Sequence, residues 1–364
     1  MAQGDSRAGR AKWGAYAAAL AVLAGLASLT FAFHVINHAD QPVPTPPGSS
    51  GAWEVYFSPG GAAGVQAAPG GPEGAVADAI HRARSTVDMA AYDLDLEDVT
   101  RSLLSAVGRG VRVRVVLESE QANRAPVSAL ELAGIGVVQD GRPGLMHDKF
   151  LVIDGADVWT GSMNFTFSGV YRNDNNLIHL HSAEAAADFT REFEEMFVED
   201  RFGPLSRPDT PYPAFDLDGA RVEVLFSPDD QVASRLTRLI HSATREIDFM
   251  AFSFTSEEIA QALAERRRAG VVVRGVLEAD QVGSLSSQYA FLRQAGIEIR
   301  LDNNPATMHH KVILVDGGVV ATGSYNYSRS AETANDENLL ILYSPRAADL
   351  YGEEFERLFE AGVP

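Results

Sequence analysis

Two stretches of the chain carry the same polar residues at the same spacing. The first reads His147-Asp-Lys149-Phe-Leu-Val-Ile-Asp154 and is followed by Gly161-Ser162-Met-Asn164. The second reads His309-His-Lys311-Val-Ile-Leu-Val-Asp316 and is followed by Gly323-Ser324-Tyr-Asn326. Two matching stretches of this kind indicate an internal repeat that carries chemistry.

The repeat extends far beyond these stretches. Four further segments of the first copy match the second: Glu54–Pro59 with Glu223–Pro228, Val87–Tyr92 with Ile247–Phe252, Gly110–Glu118 with Gly270–Glu278, and Asn173–Leu177 with Asn335–Leu339. In each copy short β-branched runs alternate with helical patterns, which predicts α/β layers with helices outside a mixed sheet. We therefore predict one lobe over 53–203, a proline-rich linker over 204–219 and a second lobe over 220–364.

The composition narrows the class of protein. The formal net charge is −19, which disfavours a broad nucleic-acid-binding surface. The chain contains no cysteine, so thiol catalysis is excluded. It has only three lysines among 30 basic residues, and two of them are Lys149 and Lys311. Because an ammonium is a compact donor and a guanidinium a flat fork, these two positions are predicted to need lysine itself.

The N-terminal region has the pattern of a membrane anchor. Residues 1–12 are basic. Residues 14–33 carry no charge, and this stretch is long enough to form a membrane-spanning helix. We predict a cytoplasmic segment over 1–12, a transmembrane signal anchor over 13–36 and a linker over 37–52. The basic flank predicts that the lobes are extracytoplasmic. A cleaved signal peptide, which would make the protein secreted, is the alternative.

The motif suits phosphate chemistry. Alternate residues of a strand share a face, so each His-x-Lys unit presents an imidazole and an ammonium together, with Cα atoms about 7 Å apart. Ser162, Asn164, Ser324 and Asn326 could return to that face and donate to phosphate oxygens. If the copies face each other, one histidine can attack phosphorus and the other can protonate the leaving oxygen. The lysines and asparagines would stabilise the developing charge, and the scheme needs neither a metal nor a cofactor.

Some motif residues also have simpler interpretations. Asp154 and Asp316 end apolar strands just before glycine, so a turn role competes with a catalytic one. His309 and His310 are adjacent and would point to opposite faces of a strand, which disfavours a metal site built from both. His310 is therefore predicted to be a structural residue.

The doubled His-x-Lys-x4-Asp-x6-Gly-Ser-x-Asn pattern resembles the signature of the phospholipase D superfamily. The resemblance covers nearly all of 53–361 and implies two α/β lobes related by a pseudo-twofold axis, with both motifs at the lobe interface. It also implies a two-step, metal-independent phosphodiester reaction through a phosphohistidine.

The resemblance implies roles for individual residues. His147 would be the nucleophile and His309 the general acid, while Lys149, Lys311, Asn164 and Asn326 would bind phosphate. An acidic residue after the motif often orients the histidine in this superfamily, and Glu337 fits that role in the second copy. The first copy has Asn175 at the equivalent position, beside Asp174, so the resemblance leaves open which residue orients His147.

Several activities are compatible with such a site. Hydrolysis of phospholipid head groups at a membrane surface is the first expectation, because it agrees with the predicted anchor and the acidic lobes. Endonuclease activity and transphosphatidylation of the cardiolipin synthase type are the alternatives, and a non-enzymatic scaffold is disfavoured because both motifs are intact. No protein partner is predicted.

Overall fold

The computed structural model describes residues 51–58, 60, 71–121 and 125–364. The predicted cytoplasmic segment (1–12), the predicted anchor (13–36) and all but the last two residues of the linker (37–52) lie outside these ranges. Within them, no helix combines the length and the apolarity that crossing a membrane requires.

The first half of the described chain forms one mixed sheet with helices around it. Its strands are β1 (Trp53–Phe57), β2 (Thr86–Ala91), β3 (Arg112–Glu118), β4 (Gly136–Asp140), β5 (Lys149–Ile153), β6 (Asp157–Gly161) and β7 (Asn176–His181). Its α-helices are α1 (Pro72–Arg82), α2 (Glu97–Gly108), α3 (Ala125–Leu132), α4 (Phe167–Tyr171) and α5 (Ala183–Phe197). The strand order is β1-β7-β6-β5-β2-β3-β4.

The second half repeats this arrangement. Its strands are β8 (Ala214–Leu217), β9 (Ala220–Ser227), β10 (Glu246–Ala251), β11 (Val272–Leu277), β12 (Glu298–Leu301), β13 (Lys311–Val315), β14 (Val319–Gly323) and β15 (Glu337–Tyr343). Its α-helices are α6 (Val232–Ser242), α7 (Glu257–Arg268), α8 (Tyr289–Gln294), α9 (Arg329–Thr333) and α10 (Pro345–Ala361). The order β12-β11-β10-β13-β14-β15-β9-β8 is that of the first sheet read backwards, with β8 added at one edge.

Strand β8 lies inside the segment that was predicted to be only a linker. It pairs antiparallel with β9, with Ala214 opposite Glu223 and Leu217 opposite Ala220. The prolines at 204, 208, 211 and 213 end just before the strand, so the backbone beyond them is free to form ladder hydrogen bonds. Residues 214–217 of the predicted linker therefore form an edge strand of the second sheet.

The two sheets share a central hydrophobic core. Both inner sheet faces and the helices α5 and α10 contribute to it, with Phe150 and Phe189 from the first half and Phe226, Tyr351 and Phe355 from the second. Separate cores cover the outer face of each sheet. Because β5 and β13 are buried along their whole length, the residues just before them are fixed in position.

Candidate active site

The two histidine motifs meet where the lobes join. Short parallel bridges cross from one half to the other, pairing Met146 with Asp336 and Met308 with Asp174. The amide of His147 donates to the carbonyl of Asp336 at 3.0 Å, and the amide of His309 donates to the carbonyl of Asp174 at 2.8 Å. Each histidine is therefore held by backbone from the opposite lobe.

The side chain that orients each imidazole also comes from the opposite lobe. Nδ1 of His147 lies 2.7 Å from Oε2 of Glu337. Nδ1 of His309 lies 2.9 Å from Oδ1 of Asn175 and 3.1 Å from the carbonyl of Ser162. The expectation that Glu337 orients the histidine of its own copy was wrong, because the crossing of the chains exchanges the partners. The open question about His147 is answered by Glu337.

The two lysines are buried beside the histidines. Lys149 and Lys311 are 0% and 1% exposed. Nζ of Lys149 donates to the carbonyl of His147 at 2.5 Å, and Nζ of Lys311 donates to that of His309 at 2.8 Å. An ammonium has three donors, so each lysine keeps hydrogens for an anionic ligand.

Two aromatic residues, for which the sequence motifs predicted no role, line the site beside the histidines and lysines. The ring of Tyr92 lies 4.9 Å from that of His147, edge to face, and 5.1 Å from Nζ of Lys149. Phe252 has the same relation to His309 and Lys311, at 4.7 and 5.1 Å. These residues occupy matching positions of the repeat, and that correspondence was the signal that could have identified them.

The motif serines hydrogen-bond to the two residues that orient the imidazoles. Oγ of Ser162 donates to Oδ1 of Asn175 at 2.9 Å, and Oγ of Ser324 hydrogen-bonds to Glu337. Each serine oxygen also accepts from a backbone amide, that of Asn176 or Asn338. These serines, which were predicted to bind substrate, therefore use their hydroxyl donors on the groups that orient the imidazoles.

The glycine before each serine is required by close packing. A Cβ atom at Gly161 would lie 2.4 Å from the carbonyl oxygen of Asn176, and one at Gly323 would lie 2.2 Å from that of Asn338. Because Cβ atoms do not approach backbone that closely, any larger residue would push the serine away from its partners.

The motif asparagines are placed differently from the serines. Asn164 and Asn326 are partly buried, and each has a buried side-chain oxygen with no hydrogen-bond partner among residues 51–58, 60, 71–121 and 125–364. An amide oxygen is an acceptor, so only a donor on a ligand can satisfy it, whereas the Nδ2 hydrogens of the same amides are the groups that can donate to a phosphate oxygen.

Asp154 and Asp316 are not brought to the histidines. The carboxylate of Asp154 accepts from the amides of Arg84, Ser85 and Thr86, at 2.7 to 2.9 Å. That of Asp316 accepts from the amides of residues 244, 245 and 246. Both follow the far ends of β5 and β13 with positive φ, which aspartate tolerates in a turn. The structure therefore supports the turn interpretation and does not bring either carboxylate to the imidazoles.

Burial and positive charge dominate the electrostatics of the site. Burial lowers the pKa of both imidazoles well below the usual range, and Lys149 and Lys311 lower it further. Burial also lowers the pKa of Lys149 to about 8. Burial and the nearby Lys149 lower the pKa of Lys311 well below its usual value. Burial raises the pKa of Glu337 to about 7, although Lys149 opposes this. A bound anion would reverse the shifts of the lysines and imidazoles.

The described residues contain no group of three or more acidic or histidine side chains arranged to hold a metal ion. His310 is buried but faces away from the site, with Nε2 3.0 Å from Oε1 of Glu354. This placement agrees with its prediction as a structural residue.

A family model described as "Cardiolipin synthase, PLD-like domain" matches the chain twice, over residues 76–197 and 236–359. Among solved structures, the phosphatidylserine synthase of Haemophilus influenzae aligns with a TM-score of 0.59 at 14% identity, covering 78% of this chain and 83% of that one. This likeness shows that the two-lobe fold is shared.

Curated relatives are similar over part of the chain. A mitochondrial cardiolipin hydrolase of Chlamydomonas reinhardtii is 28% identical over 208 residues, which is 50% of this chain and 92% of that protein. The human protein of the same name is 38% identical over 37% of this chain, and the match covers only 54% of the human protein. A phospholipase D of Rickettsia prowazekii is 29% identical over 38% of this chain and 68% of that protein. The two matches to the family model, together with the paired motifs, show that this chain belongs to the phospholipase D superfamily.

Proposed function

We propose that this protein is a metal-independent phosphodiesterase that hydrolyses phospholipids through a phosphohistidine on His147. The observation that carries the proposal is the unequal support of the two imidazoles. His147 faces a carboxylate, that of Glu337, whereas His309 faces the neutral Asn175 and a carbonyl. A carboxylate at Nδ1 stabilises the positive charge that an attacking imidazole acquires, so His147 is the better nucleophile.

In the first step Nε2 of His147 forms a bond to phosphorus, and the bond from phosphorus to the alcohol oxygen breaks. His309 gives its Nε2 proton to that oxygen, so the alcohol leaves neutral. In the second step His309 takes a proton from water, the water oxygen bonds to phosphorus, and the bond to His147 breaks. The products are an alcohol and a phosphate monoester, and His309 ends each cycle protonated.

The surrounding charges fit this sequence. Lys149 and Lys311 are buried, and their mutual repulsion is relieved when the diester anion enters. The same anion raises the pKa of His309, which then carries the proton that the leaving alcohol needs. Donors already fixed in position stabilise the equatorial oxygens without reorganisation, and we assign this role to the lysines and to Asn164 and Asn326.

Three observations support a phospholipid substrate. Several relatives bear the names cardiolipin hydrolase and phospholipase D. The net charge of −19 opposes binding to a polyanion such as DNA. The uncharged stretch 14–33 supports an N-terminal anchor that would keep the lobes at a membrane surface.

Transphosphatidylation is the second candidate, because the matching family model is described as cardiolipin synthase. It uses the same intermediate, with an alcohol in place of water in the second step. The nucleophile of the second step therefore decides between a hydrolase and a synthase.

The test is a parallel assay of the purified full chain in EDTA. The substrates are vesicles of cardiolipin, vesicles of phosphatidylcholine, phosphatidylglycerol with added glycerol, and single-stranded DNA. We expect release of phosphatidate or head group without added metal. Lipid transfer as the main product would favour the synthase, and cleavage of DNA alone would contradict the proposal.

A further inference from the structure

Behind each histidine the two lobes differ in charge at matching positions. In the second lobe the residue after the motif histidine is His310, and in the first it is Asp148. Helix α10 brings Glu354 and Arg357 to His310, and helix α5 has Glu192 and Glu195 at the positions of those two residues. All these pairs are separated by the same 162 positions, so they are true counterparts in the repeat.

The cluster behind His309 consists of His310, Glu354, Arg357 and Asp174, and each of these side chains has a hydrogen-bond partner. Nε2 of His310 donates to Glu354 at 3.0 Å, and Arg357 donates to Glu354 at 2.7 Å and to Asp174 at 2.6 Å. Nδ1 of His310 accepts a hydrogen bond from the side-chain Nδ2 of Asn176 at 3.1 Å. Acceptors and donors therefore alternate along the whole cluster.

The cluster behind His147 contains acids where its counterpart has donors. Nδ2 of Asn338 donates to Oδ1 of Asp148 at 2.6 Å. Oδ2 of Asp148 and Oε1 of Glu192 are both buried and have no hydrogen-bond partner in the part of the chain that the structure describes. Glu195 does not supply a donor, because its carboxylate is bound to Arg191 at 2.7 Å. Asp148 is 0% exposed and Glu192 is 4% exposed, so water does not screen them.

One proton on the pair Asp148 and Glu192 removes the repulsion between two buried carboxylates. Two ionised carboxylates near each other in an interior are disfavoured by repulsion and desolvation, whereas an acid and a carboxylate can form a strong hydrogen bond. Burial raises the pKa of Glu192 well above the usual value, and Asp148, Asp229, Asp336 and Glu195 raise it further. Asp148 itself faces Glu337, Lys149 and the amide of Asn338, and its pKa is raised to about 7, chiefly by burial.

We propose that Glu192 keeps its proton at neutral pH and donates it to Asp148, so that the two residues together position Asn338 behind the His147 half-site. The backbone N–H of Asn338, a different donor from the side-chain Nδ2 that bonds to Asp148, donates to Oγ of Ser324 at 2.9 Å, and Ser324 hydrogen-bonds to Glu337, which orients His147. Asp148 and Glu192 are thus positioning residues: Asp148 reaches the nucleophile through Asn338, Ser324 and Glu337, and Glu192 acts through Asp148.

The proton can be observed without any activity. Infrared spectra of the full chain at neutral pH should contain the carbonyl stretch of a protonated carboxyl group that is absent from Glu192→Gln, because glutamine supplies an N–H in place of the acid proton. Glu354→Gln is the matched control and should leave the band intact. Although burial raises the pKa of Glu354, hydrogen bonds from Arg357 and His310 lower it below the usual value, so it is a carboxylate.

Asp148→Asn provides a second route to the same observation. The asparagine would offer its own N–H to Glu192 and would remove the charged acceptor of its proton, so the band should shift or be lost. An unchanged protonated-carboxyl region in the spectra of both variants would overturn the proposal.

The positioning role rests on the proposed function and is measured separately, on a small soluble phosphodiester. Glu192→Leu should reduce kcat about 10- to 100-fold with little change in KM, because a displaced nucleophile affects the reaction more than binding. Glu192→Gln should recover most of that loss. If the glutamine variant is as slow as the leucine variant, the donated hydrogen does not position the site. If the infrared band is lost in Glu192→Gln as expected, this result would refute only the link to catalysis. The conclusion that Glu192 is protonated in the wild-type protein would stand.

Discussion

Nδ1 of His147 and Oε2 of Glu337 lie 2.7 Å apart, although 190 positions separate them in the chain. Both side chains are buried, so the single proton between them has no competing water. The carboxylate fixes the ring and leaves Nε2 as the nitrogen that can reach phosphorus. It also makes the first half-site chemically different from the second, where Asn175 takes the equivalent place.

Glu337→Gln should reduce kcat by about 10²- to 10⁴-fold, because the neutral amide neither stabilises the charged imidazole nor fixes its tautomer. The measurement is steady-state turnover of a soluble diester. Asn175→Ala is the comparison, and its loss should be smaller because His309 keeps its contact with the carbonyl of Ser162. Equal losses in both variants would show that the carboxylate has no special role.

Lys149→Arg and Lys311→Arg should each lower kcat/KM at least about 100-fold, although the formal charge is kept. The guanidinium is larger and flat, and each lysine is buried against a backbone carbonyl and an aromatic face. Arg101→Lys, on the exposed face of α2, is the control and should leave the rate unchanged. Wild-type rates in both lysine variants would refute the need for an ammonium.

The pH optimum of kcat/KM should lie on the acid side of the ordinary histidine pKa of about 6.5. That ratio reports the free enzyme, in which burial and the two lysines lower the pKa of both imidazoles. Because the reaction needs His309 protonated, raising the pH through its depressed pKa removes activity. The anionic substrate opposes this shift, so the optimum of kcat should lie at higher pH than that of kcat/KM. Coincident profiles with an alkaline optimum would contradict this account.

Asp154→Ala and Asp316→Ala should destabilise the fold by about 1–3 kcal/mol each, because backbone amides lose their acceptor, while kcat changes little. Hydrogen bonds from those amides, opposed by desolvation, lower the pKa of Asp316 to about 2. A depressed carboxyl pKa stabilises the fold above the unfolded value of about 3.9, and this contribution is lost as the pH falls through the folded value. Urea titrations at pH 7 and at pH 2.5 check both statements. An inactive but fully stable Asp316→Ala would restore a catalytic role.

The sequence predicted the repeat, the two lobes and the residues that meet between them. It did so because His147, Lys149, His309 and Lys311 occupy fixed places at the start of two buried strands. The expectation about Glu337 failed for a physical reason. Spacing along the chain tells which residues are near one another within a copy, but Glu337 and Asn175 act on the histidine of the other copy. Likewise, Ser162 and Ser324 have donors that suit phosphate, and only the fold shows that those donors are already used.

The central claim is that two half-sites act on one phosphorus atom with His147 as the nucleophile. The most direct measurement is acid-free quenching of the full chain during turnover of a labelled diester, followed by mass spectrometry of its peptides. We predict a phosphorylated intermediate on His147 that is abolished by His147→Ala. In His309→Ala it should still form from a substrate whose leaving group needs no proton, and it should decay slowly. Label on His309 in the wild-type protein, or turnover that persists in His147→Ala, would contradict the claim.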